Sequence, residues 1–135
     1  PAHPDEAQGL AKLKAQGYKL VTLTNSSLKG VQLQLKNANL SQYFDANLSI
    51  ESVGVFKPHL STYKWAIKNL GVNSNEALMV AAHGWDITGA DKAGLQTAFV
   101  RRPGKVLFPL AEKPDYSVLD ITELASTLAQ FNNIY

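Results

Sequence analysis

Apolar positions alternate along the chain between helical and strand spacing. Leu10 and Leu13 sit one turn apart and are followed by the apolar run YKLVTLT. Leu28, Val31, Leu35 and Ala38 then fall at helical spacing, and after a loop at SQYFD comes the short run ANLSI. Leu60, Tyr63, Ile67 and Leu70 mark another helix, and ALMVAA another strand-length run. A helix over about Asp86 to Ala93, the strand QTAFV, the strand YSVLD and a last helix carrying Ile121, Leu124 and Leu128 complete the alternation.

The punctuation agrees with this division. Asp5 and Glu6 suit the first turn of a helix starting at Pro4, where the free N–H groups favour negative charge. Gly17, Gly71 and Gly94 follow apolar stripes and suit left-handed helix stops. Strands alternating with helices imply right-handed crossovers and a parallel sheet covered on both faces. The fold class read from the pattern is α/β, a Rossmann-like doubly wound parallel sheet in one domain over residues 1–135. The stretch RRPGKVLFPLAEKP reads as a long surface loop rather than a linker.

Composition narrows the chemistry. The chain has 135 residues, 45% hydrophobic and 18% charged, with a net charge of +2. Its basic residues are scattered, so no nucleic-acid or membrane footprint emerges. It has no cysteine, which excludes disulfides, thiolate catalysis and cysteine-bound zinc. No segment approaches the roughly 18 consecutive apolar residues of a membrane span. The start PAHPDEAQ lacks the order of a signal peptide, and the expected location is the cytoplasm.

In a doubly wound sheet, groups that act on ligands gather beyond the carboxyl ends of the strands, where helix N-termini point their free N–H groups. That rule selects Thr24, Asn25 and Ser26 after the first strand, His83, Trp85 and Asp86 after ALMVAA, and Arg101 and Arg102 after QTAFV. Lys57 lies in the loop after NLSI, immediately before Pro58 and a helix. Each has an ordinary alternative. Thr24 and Asn25 fit a strand-to-helix turn with Ser26 or Ser27 as N-cap, and Asp86 fits an N-cap of its own helix. His83 fits a hydrogen-bonded structural histidine, Lys57 a solvated charge and Arg102 a loop brace. Asp120 reads as the cap of the last helix, without chemistry.

Three segments in this order, LTNSS, VGVFKPHLSTYKWA and VAAHGWDITGADKAGLQTAFVRRPG, resemble the haloacid dehalogenase superfamily, specifically its L-2-haloacid dehalogenase (type II) branch. The resemblance covers nearly the whole chain and implies a dehalogenase-type core. It implies that Thr24 is the hydroxyl binding an oxygen of substrate or intermediate, with Asn25 beside it. It implies that Lys57 stabilises a nucleophilic aspartate, that Tyr63 and Trp85 lie at the substrate site, and that Asp86 with His83 serves the hydrolytic water. Magnesium-dependent phosphatases of the superfamily carry an aspartate four residues before the position of Asp86. Here that residue is Ala82, whose methyl group cannot ligate Mg²⁺, so no cofactor is expected, and Mg²⁺ only under a phosphatase reading. Ala81 and His83 stand where some members have serine and asparagine, and AAHxWD resembles a variant of that motif.

The resemblance also implies an absence. The family's nucleophile is the first aspartate of a DxxGT-like strand, and nothing before Thr24 contains one. The helical cap and its halide-accepting arginine have no counterpart here either. The expectation is therefore a C-terminal core part, incomplete at its N-terminal side and inactive alone, of an enzyme turning small L-2-haloacids into D-2-hydroxy acids. An open sheet edge would favour homo-oligomers. The competing readings are a fragment of a related phosphatase and a non-catalytic domain that binds partners through its open sheet.

Overall fold

A computed structural model describes residues 6–25, 27–49, 60–101 and 114–132, excepting the side chains of residues 84, 85, 131 and 132. Helix α1 (Glu6–Ala15) leads to strand β1 (Val21–Thr24), α2 (Leu28–Asn37) and β2 (Ala46–Ser49). Next come α3 (Leu60–Leu70), β3 (Leu78–Ala81), α4 (Gly84–Lys92), β4 (Gln96–Val100), β5 (Tyr116–Val118) and α5 (Ile121–Asn132). The alternation expected from the sequence is present, with shorter strands. YKLVTLT contributes only its last four residues to β1, because Leu20 gives its N–H to the side chain of Asp45 (2.7 Å) instead of to a neighbouring strand. The loop expected over residues 101–114 falls outside the described residues except at its two ends.

All strand pairing among the described residues is parallel. β1 pairs with β2 in the register Val21 with Ala46 through Thr24 with Ser49. β3 pairs with β4, and β4 with β5, from Leu78 with Gln96 to Val100 with Val118. The described strands thus form a two-stranded and a three-stranded sheet, β1-β2 and β3-β4-β5. Between them lies a cavity of about 740 Å³, lined from one side by Val21 and Leu23 and from the other by Leu78, Met79 and Val80. From β1 the chain steps outward to β2, and from β3 outward through β4 to β5. The strand order therefore reverses at the cavity.

Strand alternation sends β3 side chains to two apolar layers. Leu78 and Val80 pack on a cluster built from Leu13, Ala98, Val100, Val118, Leu124 and Leu128, which joins β4 and β5 to helices α1 and α5. Met79 packs on the other side with Tyr63, Ala90 and Leu95. Leu124 is completely buried, a burial that stabilises by roughly 1.5–3 kcal/mol. α1 and α5 approach so closely at Gly9 that a methyl group there would stand 2.6 Å from Ile121 Cγ2.

The caps behave as their chemistry dictates. The Ser27 hydroxyl accepts the N–H of Gly30 (2.9 Å) and caps α2, while Asp120 accepts the N–H of Glu123 (2.7 Å) and caps α5. Gly17, Gly71 and Gly94 have φ of 92°, 70° and 87°, the left-handed region expected of helix stops. α2 buries less of its stripe than its spacing suggests. Val31 is buried but Leu28 is 41% exposed, because α2 packs on the outer strand of a sheet only two strands wide. No helix among the described residues is long and apolar enough to cross a membrane.

Candidate functional site

The site candidates collect where the fold rule places them. β1 ends at Thr24, followed by the half-buried Asn25, and β3 ends at Ala81, followed by Ala82 and His83. These two strand ends flank the reversal of strand order, the position at which doubly wound sheets bind ligands. Small residues at 81 and 82 let the chain turn directly from strand to helix. His83 keeps extended backbone (φ −121°, ψ 132°), occupies the N-cap of α4 without a side-chain capping bond, and is exposed.

Asp86 is not the N-cap that its residue type suggested. It is the third residue of α4, with its N–H bonded to the carbonyl of His83 (3.2 Å), because the helix begins already at Gly84. The shift of register turns Asp86 inward, and it is only 4% exposed. Negative charge in the first turn of a helix is favoured by the free N–H groups there.

The partner of that buried carboxylate comes from α3. Tyr63 is completely buried, and its hydroxyl donates a short hydrogen bond to Asp86 Oδ1. The same hydroxyl lies 3.4 Å from the Asp86 carbonyl oxygen. Burial, this hydrogen bond and the adjacent negative charge together push the phenol well above its ordinary value of 10.0. Tyr63 therefore keeps its proton and serves as a fixed donor. It reaches Asp86 because α3 and α4 pack side by side, Tyr63 sharing its apolar layer with Ala90 one turn beyond Asp86.

Tyr63 and Asp86 are thus brought into direct contact, with His83 at the start of the same helix and Thr24 and Asn25 at the neighbouring strand end. Lys57 and Arg102 lie outside the described residues, as does the side chain of Trp85. Arg101 is engaged structurally, donating to the Ser117 carbonyl (3.2 Å) and hydroxyl (3.0 Å). The hydrogen bond between Tyr63 and Asp86 was not readable from spacing. Its only sequence signal was a hydroxyl-bearing aromatic within an otherwise aliphatic stripe.

Residues 2–100 match the family model described as haloacid dehalogenase-like hydrolase. The chain is 33% identical over 129 residues to (S)-2-haloacid dehalogenase 4A of Burkholderia cepacia, an alignment covering 96% of this chain and 53% of that protein. It is 35% identical over 122 residues to the pyrophosphatase PpaX of Bacillus cereus, covering 90% of this chain and 56% of that protein. Among solved structures it resembles the L-2-haloacid dehalogenase from Xanthobacter autotrophicus with chloropropionic acid covalently bound. That likeness has a TM-score of 0.88 at 28% identity and covers 98% of this chain and 62% of the other. The chain spans about half the length of the curated relatives it matches. By the extent of the family match and the shared fold, this chain belongs to the haloacid dehalogenase-like hydrolases.

Proposed function

We propose that these residues are a single core domain, the C-terminal part of an enzyme that hydrolyses small L-2-haloacids to D-2-hydroxy acids. The observation that carries the proposal is the buried Asp86 carboxylate, fixed by Tyr63 at the end of β3 beside the reversal of strand order. A carboxylate held in one direction by a donor that does not ionise is suited to receive a proton from water.

The nucleophile is a carboxylate from polypeptide outside these residues. One of its oxygens attacks C2 of the haloacid, the carbon–halogen bond breaks with inversion, and halide leaves with the bonding pair. Water then attacks the carbonyl carbon of the resulting ester. Its proton passes to Asp86, with His83 assisting at the exposed start of α4; the acyl–oxygen bond then breaks, the departing alkoxide takes that proton back to become the hydroxy acid, and the nucleophile is restored. Thr24 and the N–H groups of its turn hold an anionic oxygen, and Lys57 keeps the nucleophile ionised. Asn25 and Trp85 bind substrate, and Tyr63 acts on it through Asp86.

This chemistry asks for no cofactor, since it has no phosphate charge to neutralise. Ala82 supports that reading, for it offers no oxygen to a cation where the phosphatases of the family have a carboxylate. A cysteine-free chain suits the cytoplasm, although it would also fold elsewhere. The identity to a pyrophosphatase favours one second reading, Mg²⁺-dependent phosphate ester or anhydride hydrolysis.

Halide release from L-2-chloropropionate tests the proposal. The 135-residue chain, with its mass verified, is expected to release none. A complete polypeptide carrying these residues is expected to release halide at the same rate with and without a Mg²⁺ chelator. Release by the 135-residue chain would overturn the assignment of the nucleophile. Chelator-sensitive phosphate release without dehalogenation would favour the second reading.

A further inference from the structure

Thr24 is the last residue of β1, and its register partner Ser49 is the last residue of β2. Residues paired across parallel strands send their side chains to the same face of the sheet, with the strands about 4.8 Å apart. Leu23 and Leu48, one step back along each strand, line the cavity, so Thr24 and Ser49 both project to the opposite face. We propose that Ser49 is a positioning residue, whose side chain holds that of Thr24 in the one orientation that presents its hydroxyl to an anionic oxygen. The inference deepens the dehalogenase reading and rests on the role assigned there to Thr24.

The preceding register pair on the same face shows what this register does. Thr22 and Asn47 are joined side chain to side chain, the Thr22 hydroxyl donating to Asn47 Oδ1 (2.6 Å). The next step along that face is Thr24 with Ser49. A threonine side chain chooses among staggered orientations, each aiming its hydroxyl differently. A polar neighbour across the strands, of the kind Asn47 is to Thr22, selects one of them.

Burial marks Ser49 as more than a small filler. It is only 3% exposed, and a buried hydroxyl is costly unless hydrogen-bonded. Among the described residues no buried side-chain oxygen or nitrogen lacks a hydrogen-bond partner. Asp86 and Thr97, similarly buried, are each tied to a residue of another part of the chain, Tyr63 and Asp115. Position then gives the Ser49 pair its use. Thr22 and Asn47 lie within the strands and brace them, whereas Thr24 and Ser49 stand at the carboxyl ends, where this fold class meets its ligands. β2 lies on the side of β1 away from the cavity and β3, so Ser49 supports Thr24 from the side opposite Asp86.

The test uses a complete polypeptide carrying these residues. Three-bond couplings of the Thr24 side chain, measured by NMR without substrate, report its rotamer. A single rotamer is expected in the parent and rotamer averaging in Ser49→Ala. Asn47→Ala, which removes the neighbouring brace, should leave the Thr24 couplings unchanged. In steady-state halide release from L-2-chloropropionate, Ser49→Ala should lower kcat/KM by about 3–10-fold, the worth of one hydrogen bond. In a Thr24→Val background the same substitution should cause no further loss, because the group it positions is gone. If Ser49→Ala does not fold, Ser49→Cys, with a weaker donor, takes its place. Unchanged Thr24 couplings would overturn the proposal, as would an equal loss from Asn47→Ala or an undiminished loss in the Thr24→Val background. The couplings need no turnover, so the inference can fail while dehalogenation stands. A parent that releases no halide, with a Thr24 rotamer that depends on Ser49, would sink the dehalogenase reading and leave the positioning role supported.

Discussion

Asp45 and Asp86 are both held by hydrogen bonds, in opposite surroundings. Asp45 sits at the surface with its side chain 32% exposed. It takes a proton donor from Lys14 (2.6 Å) and another from the Leu20 N–H (2.7 Å), tying α1 and the start of β1 to the approach of β2. The Lys14 hydrogen bond, then that of Leu20, lowers its carboxyl below the ordinary 3.8. Asp86 is buried, and the donor from Tyr63 is neutral. A carboxylate paired with a cation at the surface is a brace. One buried beside a neutral donor, at the end of a strand, is held in one direction, which is what the proposed proton transfer from water asks of it. Sequence position separates the two only in part, since Asp86 follows a strand and Asp45 precedes one, while neither position shows the burial or the hydrogen-bond partner.

The largest effect should come from Asp86→Asn in a complete polypeptide, where loss of the proton acceptor should slow turnover by about 10²–10⁴-fold. Asp45→Asn should leave turnover unchanged, and steady-state halide release distinguishes the pair. Next is Tyr63→Phe. Removing a donor from a buried carboxylate should destabilise the fold by about 1–3 kcal/mol, measured by urea unfolding, and should also slow hydrolysis of the ester. If Tyr63→Phe lowered stability but left that step untouched, the hydrogen bond would be a brace like that of Asp45.

Titration sharpens the contrast further. Tyr63 is harder to ionise folded than unfolded, so its contribution to stability is complete below pH 10.0 and is lost as pH rises beyond it. Stability of the parent should fall above that pH more steeply than that of Tyr63→Phe. Asp45 has the opposite sign. Its folded value is lowered, so its contribution is complete above 3.8 and disappears as pH falls through the folded value. Asp45→Asn should flatten the acid side of the stability curve, and at neutral pH it should have the smallest effect, diminished further by salt.

Much of the scaffold was legible because it depends on local rules. The apolar periods gave each helix and strand, and the left-handed glycines gave the stops. Pairing was not local. That β1 and β3 would flank a slot instead of pairing follows from which segments meet in space, and strand runs of equal length carry no label for their neighbours. The site divided similarly. Thr24, His83 and Asp86 could be placed at strand ends from the pattern, whereas Tyr63, by spacing one more member of an apolar stripe, was assigned to the site only by the family resemblance. The ordinary alternative for Asp86, an N-cap, fails because the helix starts at Gly84 with His83 as its cap and the aspartate turns from its end to its inner face. Lys57 was singled out by its loop before a helix, and the family resemblance supplied its partner, because nothing in the spacing of a single lysine specifies a neighbour.

The central claim is that Asp86 acts after the ester forms, and intact-mass spectrometry tests it directly. A complete polypeptide with Asp86→Asn would be mixed with excess L-2-chloropropionate and quenched at intervals. An ester adduct that accumulates toward one per chain, with a single turnover of halide released, is the predicted result. Slow turnover with no adduct at any time would place Asp86 in an earlier step and contradict the account.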